Sequence, residues 1–157
     1  MGTNTTVMKK ATIFSDLSEA QLQSLAAIGE SRACAAGSTI FEEGSKGSEF
    51  YLVESGTVEI SKNIAGGRRK VLTRIESGEV FGELTLFDQS PRSATATADG
   101  ECRLLVFREE RFNEFLKSDS GVSFPVLSAL LRLLCQRIRT SNEKMKEGIV
   151  WGFQVRM

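Results

Sequence analysis

A mainly β fold framed by helices is predicted by three observations in this 157-residue sequence. Glycines punctuate short β-branched and aromatic runs from about residue 32 to 107, and helical periodicity holds on either side of that stretch. With 41% hydrophobic and 25% charged residues, the composition is that of an ordinary globular chain, and the length suits one core. An all-β sandwich or barrel with flanking helices satisfies all three. The expected divisions are an N-terminal tail over 1–13, one domain over 14–147 and a C-terminal tail over 148–157.

The first helix is announced by Ser18-Glu19-Ala20-Gln21, a capping box, with Leu17 and Leu22 placed to pack as a hydrophobic staple. Leu22, Leu25, Ala26 and Ile28 keep to one face, and the pattern ends at Gly29. The clearest strand runs are Phe50-Tyr51-Leu52-Val53, Thr57-Val58-Glu59-Ile60, Val71-Leu72-Thr73-Arg74-Ile75, Ala94-Thr95-Ala96-Thr97-Ala98 and Leu104-Leu105-Val106-Phe107. Gly66-Gly67 marks a hairpin tip, with Arg68, Arg69 and Lys70 on its solvated edge.

Helical periodicity returns over Arg108 to Lys117, where Phe112, Phe115 and Leu116 share a face, and breaks at Ser118 to Gly121. A longer helix is predicted from about Pro125 to Glu147, with Pro125 in its first turn and Gly148 as the C′ residue. Leu127, Leu131, Leu134, Ile138 and Met145 form a heptad seam in which Ser141 fills the missing rung. Ala129, Leu130, Leu133 and Arg137 form a second stripe that can face the β domain. Two readings stand: a helix serving a core and a partner helix together, or one broad stripe buried within the protomer.

Composition excludes much chemistry. The sequence has no histidine, so histidine metal sites, Ser-His or Cys-His catalysis and imidazole switching are unavailable. Basic and acidic residues number twenty each, which disfavours non-specific nucleic-acid binding and makes any anion site a matter of local arrangement. Cys34, Cys102 and Cys135 are odd in number and widely spaced among apolar neighbours, which suits a reducing compartment, and the cytoplasm is the expected location. No apolar run approaches the roughly 18 residues of a membrane span, and residues 1–10 lack a signal-peptide core.

One segment, Val80 to Thr95, reads as neither a regular strand nor an ordinary loop. Gly82 permits close backbone approach, and Glu83 to Asp88 can form one or two helical turns whose N–H groups face an anion. Nine residues after Glu83, Arg92 offers a planar cation suited to phosphate oxygens. Ser93 adds a hydroxyl, and the Glu83 carboxylate, which would repel phosphate, is suited to a sugar hydroxyl. The ligand so described is a phosphorylated sugar. The alternatives are a solvated Arg92 in a turn, or a Glu83–Arg92 pair across a loop with no ligand role.

Phe81-Gly82-Glu83-Leu84 followed by Pro91-Arg92-Ser93-Ala94-Thr95 resembles the phosphate-binding cassette of the cyclic nucleotide-binding domains found in the catabolite activator protein, in protein kinase A regulatory subunits and in nucleotide-gated channels. Gly37, Ile40-Phe41-Glu42-Glu43-Gly44, Phe50-Tyr51-Leu52-Val53, Ser55-Gly56 and Gly78 extend the resemblance over about residues 14–147. It implies a β-roll (a double-stranded β-helix or jelly roll) with an N-terminal helix, a short cassette helix and a long C-terminal helix. It also implies that Arg92 pairs with the cyclic phosphate, supported by Ser93 and by the backbone around Gly82, Leu84 and Thr85, while Glu83 accepts from the ribose 2′-hydroxyl.

The resemblance further implies a sensor for 3′,5′-cyclic nucleotide, with no cofactor, no metal and no enzymatic step. Ser93 stands where guanine-selective members often carry threonine, which favours cAMP over cGMP. Thr140-Ser141-Asn142 matches the stretch that offers hydroxyls to adenine in the activator protein, so Thr140 and Ser141 are candidate base contacts; the other reading of Ser141 is a tolerated polar rung. Trp151 and Phe153 either cap the base or anchor the tail. Arg132, Arg137 and Arg139 are read as a solvated face.

Expected partners are the nucleotide, a second copy through the 125–147 helix and a downstream protein. No DNA is expected, because Trp151 to Met157 leave no room for a recognition helix, and no membrane is expected. The coupling expected has phosphate settling at Gly82 and Arg92, the cassette contracting, and Leu84, Leu86 and Phe87 recruiting or releasing the long helix. The alternative is a nucleotide-independent interaction module on the same fold. An enzyme on a cupin-like roll is disfavoured by the missing histidines.

Overall fold

The chain is described by a computed structural model over residues 3–154, with side chains described over 5–148. Two long strands form its spine: β3 (Glu49–Ile64) and β6 (Thr95–Arg108) pair antiparallel from Glu49 opposite Arg108 to Ser61 opposite Thr95. β1 (Glu30–Cys34) and β2 (Thr39–Phe41) pair with β6, while β4 (Arg68–Ile75) and β5 (Val80–Phe81) pair with β3, giving the β-roll. Gly66 and Gly67, both at positive φ, turn β3 into β4 as expected.

Four of the expected runs merge into two strands. Phe50–Val53 and Thr57–Ile60 are both β3, joined through a register shift between Val53 and Thr57. Gly56 sits in that shift at φ +83°, and a Cβ there would come 2.5 Å from the Glu101 carbonyl oxygen, so the glycine bends one strand where a turn was predicted. The same spine explains the unbroken apolar runs, because both of its faces are covered. Phe50, Leu52, Leu105 and Phe107 pack towards the helices, whereas Tyr51, Val53, Leu104 and Val106 fill the interior of the roll with Val58, Ile75 and Phe81. Each such side chain contributes about 1.5–3 kcal/mol on burial.

α2 (Glu19–Ile28) carries the predicted capping box: the Gln21 N–H donates to Ser18 Oγ at 3.3 Å and the Ser18 N–H to Gln21 Oε1 at 2.9 Å. Leu17 and Leu22 are both buried in the helix-side core. The segment 1–13, expected as a tail, instead carries α1 (Thr3–Lys10), and Met8, Ala11, Ile13 and Phe14 are buried against α2 and the spine. Only tertiary burial rewards so polar a helix, which is why periodicity did not show it.

α4 (Glu109–Ser118) buries Phe112 and Phe115, with Phe112 edge-on to Phe50 at 4.7 Å between ring centroids. A single residue, Asp119, separates it from α5 (Ser120–Gln154). Asp119 accepts from the Gly121 N–H at 2.8 Å and from Gln21 Nε2 at 3.0 Å, tying the start of α5 to α2. Both bonds favour the charged form, so its carboxyl lies below the ordinary carboxylate range, with the Gln21 bond the larger cause.

α5 differs from its predicted span of about 125–147. It starts at Ser120, which puts Pro125 in the second turn, and it continues through Gly148, which does not terminate it. The 148–157 tail is therefore helical through Gln154. The side chains of Trp151 and Phe153 lie outside the described residues. The two stripes separate as the dual reading requires: Ala129 and Leu130 are buried and Leu133 packs beside them, whereas Leu127, Leu131, Ile138 and Met145 are exposed and Phe124 is 78% exposed. A single stripe buried within the protomer is excluded. By length and composition α5 is apolar enough over Ser120–Gly148 to cross a membrane, contrary to the expectation that no apolar run approaches that length; arginines interrupt the stretch. Val122, Val126, Ala129 and Leu130 commit part of that apolarity to the core.

Candidate functional site

Gly82 ends β5 at φ +75°, and a Cβ there would lie 2.8 Å from Arg92 Nη1 and 3.3 Å from the Tyr51 ring. Both the left-handed backbone and the close approach therefore require glycine. The chain then makes a single helical turn, α3 (Thr85–Asp88), with Leu86 N–H donating to the Glu83 carbonyl and Phe87 N–H to that of Leu84, both at 3.1 Å. Gln89, at φ +52°, stops it after one turn. The N–H groups of Glu83 and Leu84 take no part in that turn's hydrogen bonds and sit at its positive end.

Arg92 is held more firmly than its loop position suggests. It is 4% exposed. Nη1 donates to the Gly82 carbonyl at 3.0 Å and Nη2 to that of Glu49 at 2.6 Å, while the guanidinium carbon stands 4.1 Å over the Phe41 ring. Nε, buried, has no partner. Its backbone is clamped too: Arg92 N–H donates to the Ser45 carbonyl and Gly44 N–H to the Arg92 carbonyl, each at 2.8 Å. A Cβ on Gly47 would reach 2.1 Å from Nε, so Gly47 and Gly82 form the two walls of the slot. Burial lowers the Arg92 pKa, opposed by Tyr51, Glu49 and Glu83.

Glu49 organises the other side of this slot. Tyr51 Oη donates to Glu49 Oε2 at 3.0 Å, and Arg32 approaches both Glu49 oxygens at 3.4 Å. Burial, then Glu49, pushes the Tyr51 hydroxyl up to about 12, which keeps it a donor at neutral pH.

Glu83 is 2% exposed, and its ion-pair partner is Arg137 of α5, not Arg92 across the loop. Arg137 donates through Nη1 to Glu83 Oε1 and through Nη2 to the Val80 carbonyl. The expectation of a solvated basic face is corrected at this one position. Arg137 lies one turn beyond Leu133 on the stripe that packs against the roll, and that spacing was its available signal. Lys144, two turns further, donates to the Leu72 carbonyl at 2.8 Å.

These groups border a cavity of about 760 Å³ between the cassette, β4 and α5. Gly82, Glu83, Leu84, Thr85, Arg92 and Ser93 line one end, and Thr140 and Ser141 line the α5 side near Val71, Leu72 and Met145. All eight candidate residues therefore border one space. Thr85 is buried and donates to the Gly82 carbonyl at 3.2 Å, whereas Ser93, Thr140 and Ser141 are exposed. Of the three residues expected to touch the long helix, Leu86 packs against the core cluster that contains Val126 and Leu130, while Leu84 and Phe87 are about half exposed.

The β-roll thus places a buried arginine and a buried carboxylate at one end of a single cavity. The family profile "Cyclic nucleotide-binding domain" matches residues 31–119, and the chain belongs to that family. A CRP-like cAMP-activated global transcriptional regulator of Mycobacterium tuberculosis is 32% identical over 113 residues, 72% of this chain and 49% of that protein. This chain thus matches about half the length of that curated relative. Among solved structures, the N-terminal domain of a transcriptional regulator from Streptomyces coelicolor A3(2) superposes with TM-score 0.75 at 32% identity, covering 88% of this chain and 94% of that one. The regulatory domain of Toxoplasma gondii PKA with cAMP superposes with TM-score 0.66 at 28% identity, covering 72% and 43%.

Proposed function

We propose that this chain is a cAMP sensor that couples nucleotide binding to the position of α5. The observation that carries the reading is the buried Arg92 and Glu83 on one cavity, with α5 reaching the second of them through Arg137. Arg92, with Ser93 and the backbone of Gly82, Leu84 and Thr85, takes the cyclic phosphate. Glu83 accepts from the one free ribose hydroxyl. Arg137 occupies Oε1 and leaves the carboxylate a second oxygen for that bond. Thr140 and Ser141 contact the base, and Ser93 favours adenine over guanine.

Any shift of Glu83 on binding is transmitted to Arg137, so nucleotide and helix position are linked by a coupling of about 1–3 kcal/mol. No catalytic step is assigned. The exposed seam of α5 receives a second copy, and a downstream protein reads the helix. Three free thiols fit a reducing cytoplasmic setting. That same exposed seam, Phe124 to Met145, also favours the second reading, a nucleotide-independent interaction module.

Calorimetric titration with cAMP and cGMP separates the two. Micromolar or tighter binding is expected, with cAMP the stronger ligand. Arg92→Ala removes a desolvated charge partner and is expected to weaken binding by about 2–5 kcal/mol, roughly 30-fold to several-thousand-fold. No heat with either nucleotide, at an unchanged melting temperature and with no co-purified nucleotide, would leave the interaction module as the function.

A further inference from the structure

Two of the three cysteines, far apart in sequence, meet in the fold. Cys34 ends β1 and lies directly opposite Cys102 of β6 in their antiparallel ladder. Directly opposed residues in such a pair have Cα atoms about 4.5–5.5 Å apart, inside the roughly 4.4–6.8 Å range that a disulfide spans. Both are free thiols, Cys34 partly exposed and Cys102 buried, and Cys135 is exposed on α5. Cys102 is covered from the β3 side, where a Cβ on Gly56 would come 2.7 Å from its own Cβ. Both sulfurs belong to the interior cluster of the roll, with Cys34 at its margin.

We propose that Cys34 and Cys102 form a peroxide-sensitive dithiol that closes to an intramolecular disulfide across β1 and β6. Cys34, the accessible member, attacks a hydroperoxide as its thiolate and becomes a sulfenic acid, releasing water or an alcohol. The Cys102 sulfur then attacks the Cys34 sulfur and displaces hydroxide, which takes up the Cys102 proton and leaves as water. In sum, two thiols and one hydroperoxide give one disulfide, one water and one alcohol or second water; sulfur is oxidised and the peroxide oxygen reduced. Burial, together with the Cys34 neighbour, pushes the Cys102 thiol up to about 11, so Cys102 enters the second step as a thiol whose proton the departing hydroxide takes. The closed loop encloses residues 35–101, and with them the whole cassette from Gly82 to Ser93.

The test uses the full chain carrying Cys135→Ser, treated with hydrogen peroxide while native. The expected product has lost the mass of two hydrogens, resists alkylation, maps to a Cys34–Cys102 cross-link, and melts about 5–10 °C higher. A reducing agent reverses all of this, and Cys34→Ser abolishes it. The proposal is overturned if both thiols remain alkylatable at a peroxide dose that oxidises an unfolded control. It is overturned equally if Cys34 proceeds to sulfinic acid without a cross-link, if bonds form only between chains or only after unfolding, or if the bonded form melts lower.

Discussion

The two halves of α5 are held by different forces. From Val122 to Leu130 the helix is anchored by apolar side chains in the main core, and its start is tied to α2 through Asp119. Beyond Leu133 its described contacts with the roll are polar: Arg137 on Glu83 and Val80, and Lys144 on Leu72. Ile138 and Met145 are exposed there. Hydrophobic burial is non-directional and hard to bias, whereas an ion pair on a cavity-lining carboxylate changes with whatever else that carboxylate binds. The N-terminal half is thus held by the core, and under the proposed function the C-terminal half is the part that responds.

The largest expected effect breaks the core-held half. Leu130→Ala leaves a cavity among fully buried neighbours and should cost about 2–5 kcal/mol in denaturant unfolding, with faster hydrogen exchange along all of α5. Arg137→Ala separates the halves. It leaves the Glu83 carboxylate buried without its cation, so stability should fall by about 1–3 kcal/mol, while exchange quickens over 138–148 and stays unchanged over 122–130. Equal protection in both halves of that variant would remove the distinction between them.

The smallest effect lies at the helix start and is a pH dependence. The Asp119 carboxyl lies lower in the folded chain than in the unfolded one, so its charged form adds stability above the unfolded value of about 3.9. That contribution is lost as pH falls through the lower folded value. Asp119→Ala should therefore melt slightly lower than the parent at pH 7, and the gap should narrow below about pH 4. A gap that widens on acidification would show that the charge is not what holds this end of the helix.

How much was legible in the sequence follows from how local each feature is. The capping box at Ser18, the glycine turn at Gly66-Gly67 and the apolar runs of the spine strands are written within a few residues, and all three appear in the structure. The cassette was legible for the same reason: Gly82, Glu83, Arg92 and Ser93 lie within one short segment. What escaped was non-local. Arg137 meets Glu83 across 54 positions, and Cys34 meets Cys102 across 68, so no window on the sequence contains either pair. One wall of the Arg92 slot, Gly47, and the Glu49 carbonyl that accepts from Nη2 lie more than forty residues upstream, just before β3 and at its first residue. α1 escaped because its burial is decided by the core it joins, and Gly148 misled because one glycine costs a helix only about 1 kcal/mol.

The pairing of β3 with β6 carries a kinetic consequence. Their partners lie from 34 to 59 positions apart, from Ser61 and Thr95 to Glu49 and Arg108, so the spine forms only after a long stretch of chain has been closed into a loop. Folding should accordingly be slow, on the order of milliseconds to seconds. The cassette lies inside that loop, with Gly82 fixed to β5 and Arg92 leading into β6. A partly folded chain therefore does not present the assembled cassette, and under the proposed function a nucleotide that binds only the finished roll would raise the melting point of the whole molecule.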